Sequence, residues 1–234
     1  MSGIGLLNEK PLHASLKEWY AQPGDRFEVP VDGFVIDIVR DELLLEIQTG
    51  GFASIKRKLA RLAGSRQIRL IYPIAQEKWI VRLAKDDRCA ATRRKSPKRG
   101  RVEDLFWKMV HIPQLISSRN LSLEVLMIRE EEARRYAGRR TWRRKGWITA
   151  ERRLLEVVER RVFDTPADWL ALLPEGFDPF TARDLAGAMG IRLELAQKMA
   201  YSLRAAKLVT LIGKRGRANL YAAGGMDGHG CGPA

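Results

Sequence analysis

Cysteine and histidine are scarce in this chain, which has two cysteines and three histidines among its 234 residues. Cys89 and Cys231 lie far apart and lack metal-ligand spacing, which argues against a disulfide framework and indicates a reducing compartment. The histidines form no zinc-binding pattern. No apolar run approaches the roughly 18 residues that a membrane span requires, and we identify no signal peptide. These absences predict a cytoplasmic protein without a membrane partner.

Positive charge, by contrast, is abundant and unevenly distributed. The net charge is +14, which indicates a polyanionic partner. Residues 88–161 hold 21 Lys/Arg and 9 Asp/Glu, a net +12, whereas the segments before and after them carry +1 each. The apolar fraction of 45% is ordinary for a folded protein, and the length allows one or two domains, each with its own core.

Two short apolar runs, each with one acid in its interior, are the most informative feature of the sequence. Residues 33–40 contain Asp37, residues 43–48 contain Glu46, and a two-residue polar turn joins the runs. Both runs have the composition and length of β-strands. A buried carboxylate is costly unless it is paired or binds a metal ion, so these two acids require an explanation.

The expected strand register brings the two acids together. A two-residue loop sets Arg40 opposite Leu43 and, counting back, Asp37 opposite Glu46. Because side chains alternate along a strand, Asp37, Glu46 and Gln48 then share one face. Opposed like charges repel, and a divalent cation held by the carboxylate oxygens would remove that repulsion. A loop with an odd number of residues would instead move Glu46 to the other face.

A third acid precedes a predicted helix near the N-terminus. Leu12, Leu16 and Trp19 have the spacing of one buried helical face, and Asn8 is a candidate N-cap. Glu9 falls on the same face as these apolar residues. It is therefore either a capping carboxylate or a member of a buried polar site.

The order of these acids resembles that of the PD-(D/E)xK nuclease superfamily, which includes Holliday-junction resolvases and many restriction enzymes. That order is a helix with Glu, a strand with Asp, a strand with Glu-x-Lys or Glu-x-Gln, and then a helix. The resemblance covers about residues 5–85 and carries over to Glu9, Asp37, Glu46 and Gln48. It implies an α/β fold, with a restriction-endonuclease-like mixed sheet flanked by helices. Further strands are predicted over residues 67–74, 78–83 and 121–127.

This resemblance implies metal-dependent hydrolysis of phosphodiester bonds, with Mg²⁺ or Mn²⁺ as the cofactor. The superfamily usually has lysine where this chain has Gln48, and Lys56 and Lys58 on the next predicted helix are candidates to replace it. The metal ligands that it implies are Asp37, Glu46, Glu9 and the carbonyl of Ile47. The catalytic residues that it implies are Glu9, Asp37, Glu46, Gln48 and Lys56. The alternative is structural: Asp37 faces solvent on an edge strand, and Glu46 pairs with Lys56 or Lys58.

Two basic runs lie in the positive central segment. The first, residues 93–101, contains proline and glycine and is predicted to be an exposed loop that contacts phosphates without reading sequence. The second, residues 134–145, places arginines around Trp142, with Trp147 close by. These tryptophans stack on unpaired bases or pack across a domain joint, and we favour packing. The nucleic-acid contacts predicted in the two runs are Arg93, Arg94, Lys95, Lys98, Arg99, Arg143 and Arg144.

Residues 150–223 have a different organisation. The elements predicted there are helices over 151–163, 167–172, 181–190 and 191–207, and strands over 208–212 and 219–222. This order resembles a winged-helix domain. The resemblance implies that Lys198 lies on a helix that enters the major groove, and that the wing contacts phosphate. The wing residues are Lys214, Arg215 and Arg217.

The predicted organisation is a nuclease-like domain over 1–128, a basic linker over 129–149, a smaller winged-helix domain over 150–223 and a flexible tail over 224–234. The predicted function is a metal-dependent DNA endonuclease of repair, recombination or defence. A homodimer is compatible with it, because nucleases that cut both strands often dimerise. The alternatives are a non-catalytic, regulatory DNA-binding protein built on an inactive nuclease scaffold, and an RNA-binding protein.

Overall fold

The structure is a computed structural model that describes residues 10–84, 90–138 and 146–223. Within these ranges, no helix is long and apolar enough to cross a membrane. The helices are α1 (Pro11–Tyr20), α2 (Lys56–Leu62), α3 (Phe106–Met109), α4 (Pro166–Leu170), α5 (Ala182–Met189) and α6 (Leu193–Ala205). The strands are β1 (Arg26–Val31), β2 (Phe34–Arg40), β3 (Leu43–Ile47), β4 (Gln67–Arg82), β5 (Thr92–Lys95), β6 (Leu121–Tyr136), β7 (Trp147–Phe163), β8 (Phe180–Thr181), β9 (Val209–Arg215) and β10 (Ala218–Ala223).

The first seven strands form one mixed sheet in the order β1-β2-β3-β4-β6-β7, and β5 pairs with the far half of β4. Strands β1, β2 and β3 are an antiparallel meander. Helix α2 then carries the chain to β4, which is parallel to both β3 and β6. Strand β7 returns antiparallel to β6. The predicted α/β class, a large mixed sheet flanked by helices, is confirmed.

Helix α1 covers one face of the sheet. The expected burial of Leu12 and Leu16 is confirmed, and both pack in one cluster with apolar residues of β2, β3, β4 and β6. Trp19, expected in the same row, is 43% exposed, and Tyr20 is buried instead. The row 12-16-20 keeps a strict four-residue spacing, which stacks side chains along one helical face. The helix begins at Pro11 with Lys10 as its N-cap, and the expected cap Asn8 lies outside the described residues.

Helices α2 and α3 cover the opposite face, together with the C-terminal elements. Phe52 and Leu59 pack there with Leu123 and Phe163 of the sheet, in the same cluster as the C-terminal core. The Trp169 ring of α4 lies 4.5 Å from the Phe163 ring, so the C-terminal elements share one apolar core with the sheet.

The predicted helix over residues 151–163 is wrong, because this segment is most of strand β7. Leu154, Val158 and Val162 are four residues apart, a spacing that fits one helical face and also one face of a strand. Pairing with β6 decides between the two. Arg152 binds the buried Glu130 at 2.5 Å, and Arg160 binds the buried Glu124 at 2.6 Å.

The strands of the large sheet are longer than the sequence indicates. The strands expected over 67–74 and 78–83 are one strand, β4, whose register against β6 shifts between Ala75 and Glu77. The strand expected over 121–127 continues to Tyr136. Part of the predicted linker over 129–149 is therefore sheet. The predicted boundary at residue 150 lies inside β7, and the sheet extends to Phe163.

The C-terminal elements form a smaller unit in the order α4-β8-α5-α6-β9-β10, with a three-stranded sheet ordered β8-β10-β9. Thr181 caps α5 by accepting the backbone N–H of Asp184 at 3.2 Å, and Gly190 ends this helix at φ +61°. The expected helices over 181–190 and 191–207 and both strands of the hairpin are confirmed, with shifts of a few residues at their ends.

Candidate functional site

The β2–β3 hairpin has the predicted register. Arg40 pairs with Leu43, and Ile38 pairs with Leu45, across the two-residue turn. Regular pairing ends there, just before the two acids. The backbone N–H of Ile47 then donates a 2.7 Å hydrogen bond to Asp37 Oδ2. The Asp37 carboxylate therefore reaches the end of β3.

Asp37 also contacts helix α1. Nε2 of His13 lies 3.2 Å from Asp37 Oδ2. Burial raises the pKa of Asp37, but the His13 contact, the Ile47 N–H and the nearby Lys58 ammonium together hold it below its ordinary value. Asp37 is therefore an ionised carboxylate inside the fold.

Glu46 is buried and faces helix α2. Lys58 Nζ donates to Glu46 Oε2 at 2.5 Å and to the carbonyl oxygen of Val35 at 2.6 Å. Two residues on a helix are about 200° apart, so Lys56 points away from this contact and is exposed. The lysine at the site is thus Lys58 and not the predicted Lys56. Its pairing with Glu46 also matches the structural alternative drawn from the sequence.

The environment separates the pKa values of the two carboxyl groups. Burial, followed by the charge of Asp37, raises the pKa of Glu46 to about 7, and the Lys58 ammonium only partly offsets this. One carboxyl is thus ionised while the other titrates near neutral pH, a division often found between paired catalytic acids. We call His13, Asp37, Glu46 and Lys58 the candidate centre.

Gln48 has a local structural role in the described fold. Its Nε2 donates to the Gly51 carbonyl oxygen at 3.0 Å and to Ser54 Oγ at 3.1 Å. Ser54 Oγ donates in turn to the Gly51 carbonyl oxygen at 2.9 Å. The amide therefore closes the loop between β3 and α2.

The donor set of the candidate centre suits a hard cation. Mg²⁺ is typically held by one or two carboxylates, with water and substrate oxygens completing its shell, and Asp37 and Glu46 supply such a pair. The described residues contain no cluster of three or more His, Cys, Asp or Glu side chains able to hold a metal ion. Glu9, a predicted ligand, lies outside the described residues. The Ile47 carbonyl stays a predicted ligand.

Glu46 gives the fold a pH dependence of known sign. Its pKa rises from 4.5 to about 7 on folding, so its contribution to stability is complete below pH 4.5 and is lost as the pH passes 7. We expect Glu46→Gln to remove this loss. In urea unfolding, the free energy of unfolding of the variant relative to the wild type should rise by roughly 2–3 kcal/mol between pH 5 and pH 8. A constant difference between the two proteins would contradict the raised pKa.

Three of the predicted phosphate contacts line one cleft. Arg94, Lys98 and Arg99 lie around a space of about 1050 Å³ beside β4. Arg99 also binds Glu77, as Lys95 does at 2.9 Å, and Arg93 binds Glu131 at 2.7 Å. The predicted contacts Arg143 and Arg144, with Trp142, lie outside the described residues. Trp147 packs against Tyr136, with ring centroids 5.8 Å apart, at the end of the β6–β7 pair.

The cleft also brings together cations that the sequence does not group. Arg101, Lys108, Arg152 and Arg192 line it although they span about 90 residues of chain. No run or spacing in the sequence links them, because the pairing of β6 with β7 and the packing of α6 create their proximity.

The basic residues predicted in the C-terminal unit lie on two elements. Lys198 of α6 has its ammonium 5.3 Å from the centre of the Trp107 ring. Arg215 on β9 binds Asp184 of α5 at 2.9 Å, while Lys214 and Arg217 are exposed at the tip of the β9–β10 hairpin.

Known proteins were compared with the chain as a whole. Residues 10–164 match the family described as "Domain of unknown function (DUF8091)". The chain belongs to the DUF8091 family. The DUF8091 segment runs from just before α1 to just after β7, so it coincides with the large sheet and includes the candidate centre. An uncharacterized protein of Treponema pallidum (strain Nichols) is 30% identical over 224 residues, covering 93% of this chain and 86% of that protein. No solved structure matches the chain.

Proposed function

We propose that this protein is a metal-dependent nuclease that hydrolyses phosphodiester bonds in DNA. The observation that carries the proposal is the position of Asp37 and Glu46 on adjacent strands, with Asp37 bound by the N–H of Ile47 and Glu46 bound by the Lys58 ammonium. A buried acid pair with a lysine at its edge has little structural value, because an apolar pair of similar size is usually at least as stable. A catalytic use accounts for its presence.

The topology around the pair supports the same function. The element order is α1-β1-β2-β3-α2-β4. In this order, a helix precedes a three-stranded antiparallel meander, and a second helix leads to β4, which is parallel to β3. This is the arrangement expected of a restriction-endonuclease-like core, with the acids on its second and third strands. Fold alone does not fix function, so the proposal rests on the side chains that the topology assembles.

Each residue of the candidate centre has a role in the proposed hydrolysis. Asp37 and Glu46 would hold Mg²⁺, which would supply a water of lowered pKa and would neutralise charge on the phosphate. His13 orients Asp37 at 3.2 Å. Lys58 moves from Glu46 to the phosphate oxygens and stabilises the charge that develops there. Glu46, whose pKa is about 7 without a metal ion, must lose its proton before it can hold the ion.

We further propose that the C-terminal unit is a winged helix that binds duplex DNA. The order α4-β8-α5-α6-β9-β10 and the sheet order β8-β10-β9 support this fold. Helix α6 is then the recognition helix and carries Lys198. The exposed Lys214 and Arg217 of the hairpin contact phosphate.

The experiment that tests the nuclease is cleavage of supercoiled plasmid, linear duplex, single-stranded and branched DNA at pH 8. Cutting should require Mg²⁺ or Mn²⁺, cease in EDTA and cease in Asp37→Asn. Unfolding of the variant, followed in parallel, separates a lost site from a lost fold. If the wild type cuts none of these substrates with either metal, the nuclease proposal is refuted.

One observation favours the second candidate, a DNA-binding protein on an inactive nuclease scaffold. Lys58 already neutralises Glu46, and Gln48 is used to close the loop that follows β3. That candidate predicts DNA binding without cutting, and binding unchanged by Asp37→Asn or by chelation of metal. The cleavage experiment, combined with a filter-binding measurement, distinguishes the two.

A further inference from the structure

A basic cleft lies beyond the end of β3, where the edge of β4 is not covered by a neighbouring strand. Its floor is residues 72–75 of β4, and its walls are the loop 96–101, helix α3 and the start of α6. Gly100 N donates to the Ala75 carbonyl oxygen at 3.0 Å. A Cβ at position 100 would stand 2.5 Å from that oxygen, so only glycine lets the loop approach β4 this closely.

The charge of the cleft is strongly one-signed. Nine of its lining residues are lysine or arginine, and two are acidic. Arg94, Lys98, Lys108 and Arg192 line it and have no carboxylate within ion-pair distance in the described part of the chain. Converging cations without internal partners form a site for a polyanion.

Aromatic rings stand among these cations. Tyr72 and Trp107 both line the cleft. Proteins that bind unpaired nucleic-acid strands combine a positively charged groove with aromatic side chains on which the bases stack. An inorganic polyanion or an acidic peptide would make no use of the rings.

The size and position of the cleft favour one strand over two. A volume of about 1050 Å³ is close to that of large small-molecule sites, so it admits a few nucleotides and not a duplex. One end adjoins the loop after β3: the Tyr72 ring lies 4.9 Å from the Phe52 ring, and Arg152 Nη1 donates to the Thr49 carbonyl oxygen at 3.4 Å. This end of the cleft therefore lies beside the loop that Gln48 closes.

We propose that this cleft binds an unpaired nucleic-acid strand and leads it to the candidate centre, an inference that rests on the proposed nuclease function for the fate of that strand. The substrate class is therefore a single strand, or a single-stranded end or flap of a longer duplex. The chemistry that is recognised is a phosphate backbone with bases free to stack.

Binding is measured in EDTA, so that it does not depend on cutting. The probes are a fluorescein-labelled 12-nucleotide DNA strand, RNA of the same sequence and the blunt DNA duplex. The double variant Lys108→Gln/Arg192→Gln removes two cleft cations. The matched control, Arg66→Gln/Arg119→Gln, removes two exposed cations at the starts of β4 and β6, the other end of the sheet.

We expect the cleft variant to bind the single strand at least tenfold more weakly at about 0.1 M salt. The salt slope, which is the slope of log K against log salt concentration, should fall in magnitude by about 1.4 for the two lost contacts. The control variant should bind within twofold of the wild type. Trp107→Leu should weaken binding roughly fivefold or more without changing the salt slope, because stacking is not electrostatic. Thermal unfolding of all variants checks the fold. The nucleic acid that binds more tightly, DNA or RNA, identifies the kind of strand that the cleft prefers.

Equal single-strand affinities of the cleft and control variants would overturn the proposal. The proposal would also be overturned if the wild type bound the duplex as tightly as the single strand and the cleft variant lost affinity for both to the same extent. Cleft-dependent binding by a protein that cuts nothing would retain the cleft and refute the nuclease. Cutting that survives Lys108→Gln/Arg192→Gln unchanged would refute the cleft and retain the nuclease.

Discussion

Replacing Lys58 by methionine should lower the free energy of unfolding by about 3 kcal/mol at pH 8 and by clearly less at pH 5.5. The substitution keeps an unbranched side chain one atom shorter and removes the ammonium that lies 2.5 Å from Glu46. Removing one partner of a buried ion pair leaves an uncompensated charge, which typically costs 3–5 kcal/mol. Below the Glu46 pKa of about 7, the carboxyl is protonated and the loss shrinks.

The same variant tests the metal site without any assay of activity. If Asp37 and Glu46 hold Mg²⁺, the ion takes over the electrostatic role of the missing ammonium. Millimolar Mg²⁺ should then raise the melting temperature of Lys58→Met by several degrees more than that of the wild type. Cutting should still be lost, because the metal does not replace the contact of Lys58 with the phosphate.

Lys56→Met is the matched control, because Lys56 lies on the same helix, is exposed and has no contact with Glu46. Its stability should stay within about 0.5 kcal/mol of the wild type at both pH values. A loss in Lys58→Met that is equal at pH 5.5 and pH 8 and insensitive to Mg²⁺ would mean that Lys58 only fills space.

Glu46→Gln should lower the rate of DNA cleavage a thousandfold or more at pH 8, whereas Glu42→Gln should leave it unchanged. Both acids lie on the same hairpin, Glu42 in the turn and Glu46 four residues later, and both substitutions replace a carboxyl by an amide without a large change in volume. Of the two, only Glu46 is buried, and it binds the Lys58 ammonium. A loss of this size corresponds to about 4 kcal/mol of transition-state stabilisation.

Initial rates of plasmid nicking at saturating Mg²⁺ measure this effect, with Mn²⁺ binding followed separately by electron paramagnetic resonance. The double variant Asp37→Asn/Glu46→Gln should be no slower than either single variant, because the two acids act as one unit. Retention of more than a tenth of the wild-type rate in Glu46→Gln would place the metal elsewhere in the molecule.

Most of the candidate centre can be predicted from the sequence, because it depends on patterns within short segments of the chain. Alternating apolar residues and a two-residue turn set the register of β2 against β3 up to the two acids, and four-residue spacing orients Leu12 and Leu16. The lysine was ambiguous, since Lys56 and Lys58 lie on one short helix whose rotation depends on its packing. His13 carried no signal of its own, because its contact with Asp37 joins two elements across 24 residues.

The error over residues 151–163 has a different origin. Leu154, Val158 and Val162 satisfy both periodicities, and the segment is rich in charge. Its conformation depends on β6, whose buried Glu124 and Glu130 bind Arg160 and Arg152 across the strand pair. Tertiary pairing of this kind overrides local propensity.

By itself, the sequence determined the hairpin and its two acids, the amphipathic helix beside them, the helices and hairpin of the C-terminal unit, and the excess of positive charge. These features depend on neighbours within a few residues, where periodicity, turns and caps act. Only the tertiary structure decided the long β6–β7 pair, the choice of Lys58 and the cleft that gathers Arg94, Lys108 and Arg192. Those features arise from contacts between segments far apart in the chain, which strand pairing and a shared apolar core bring together.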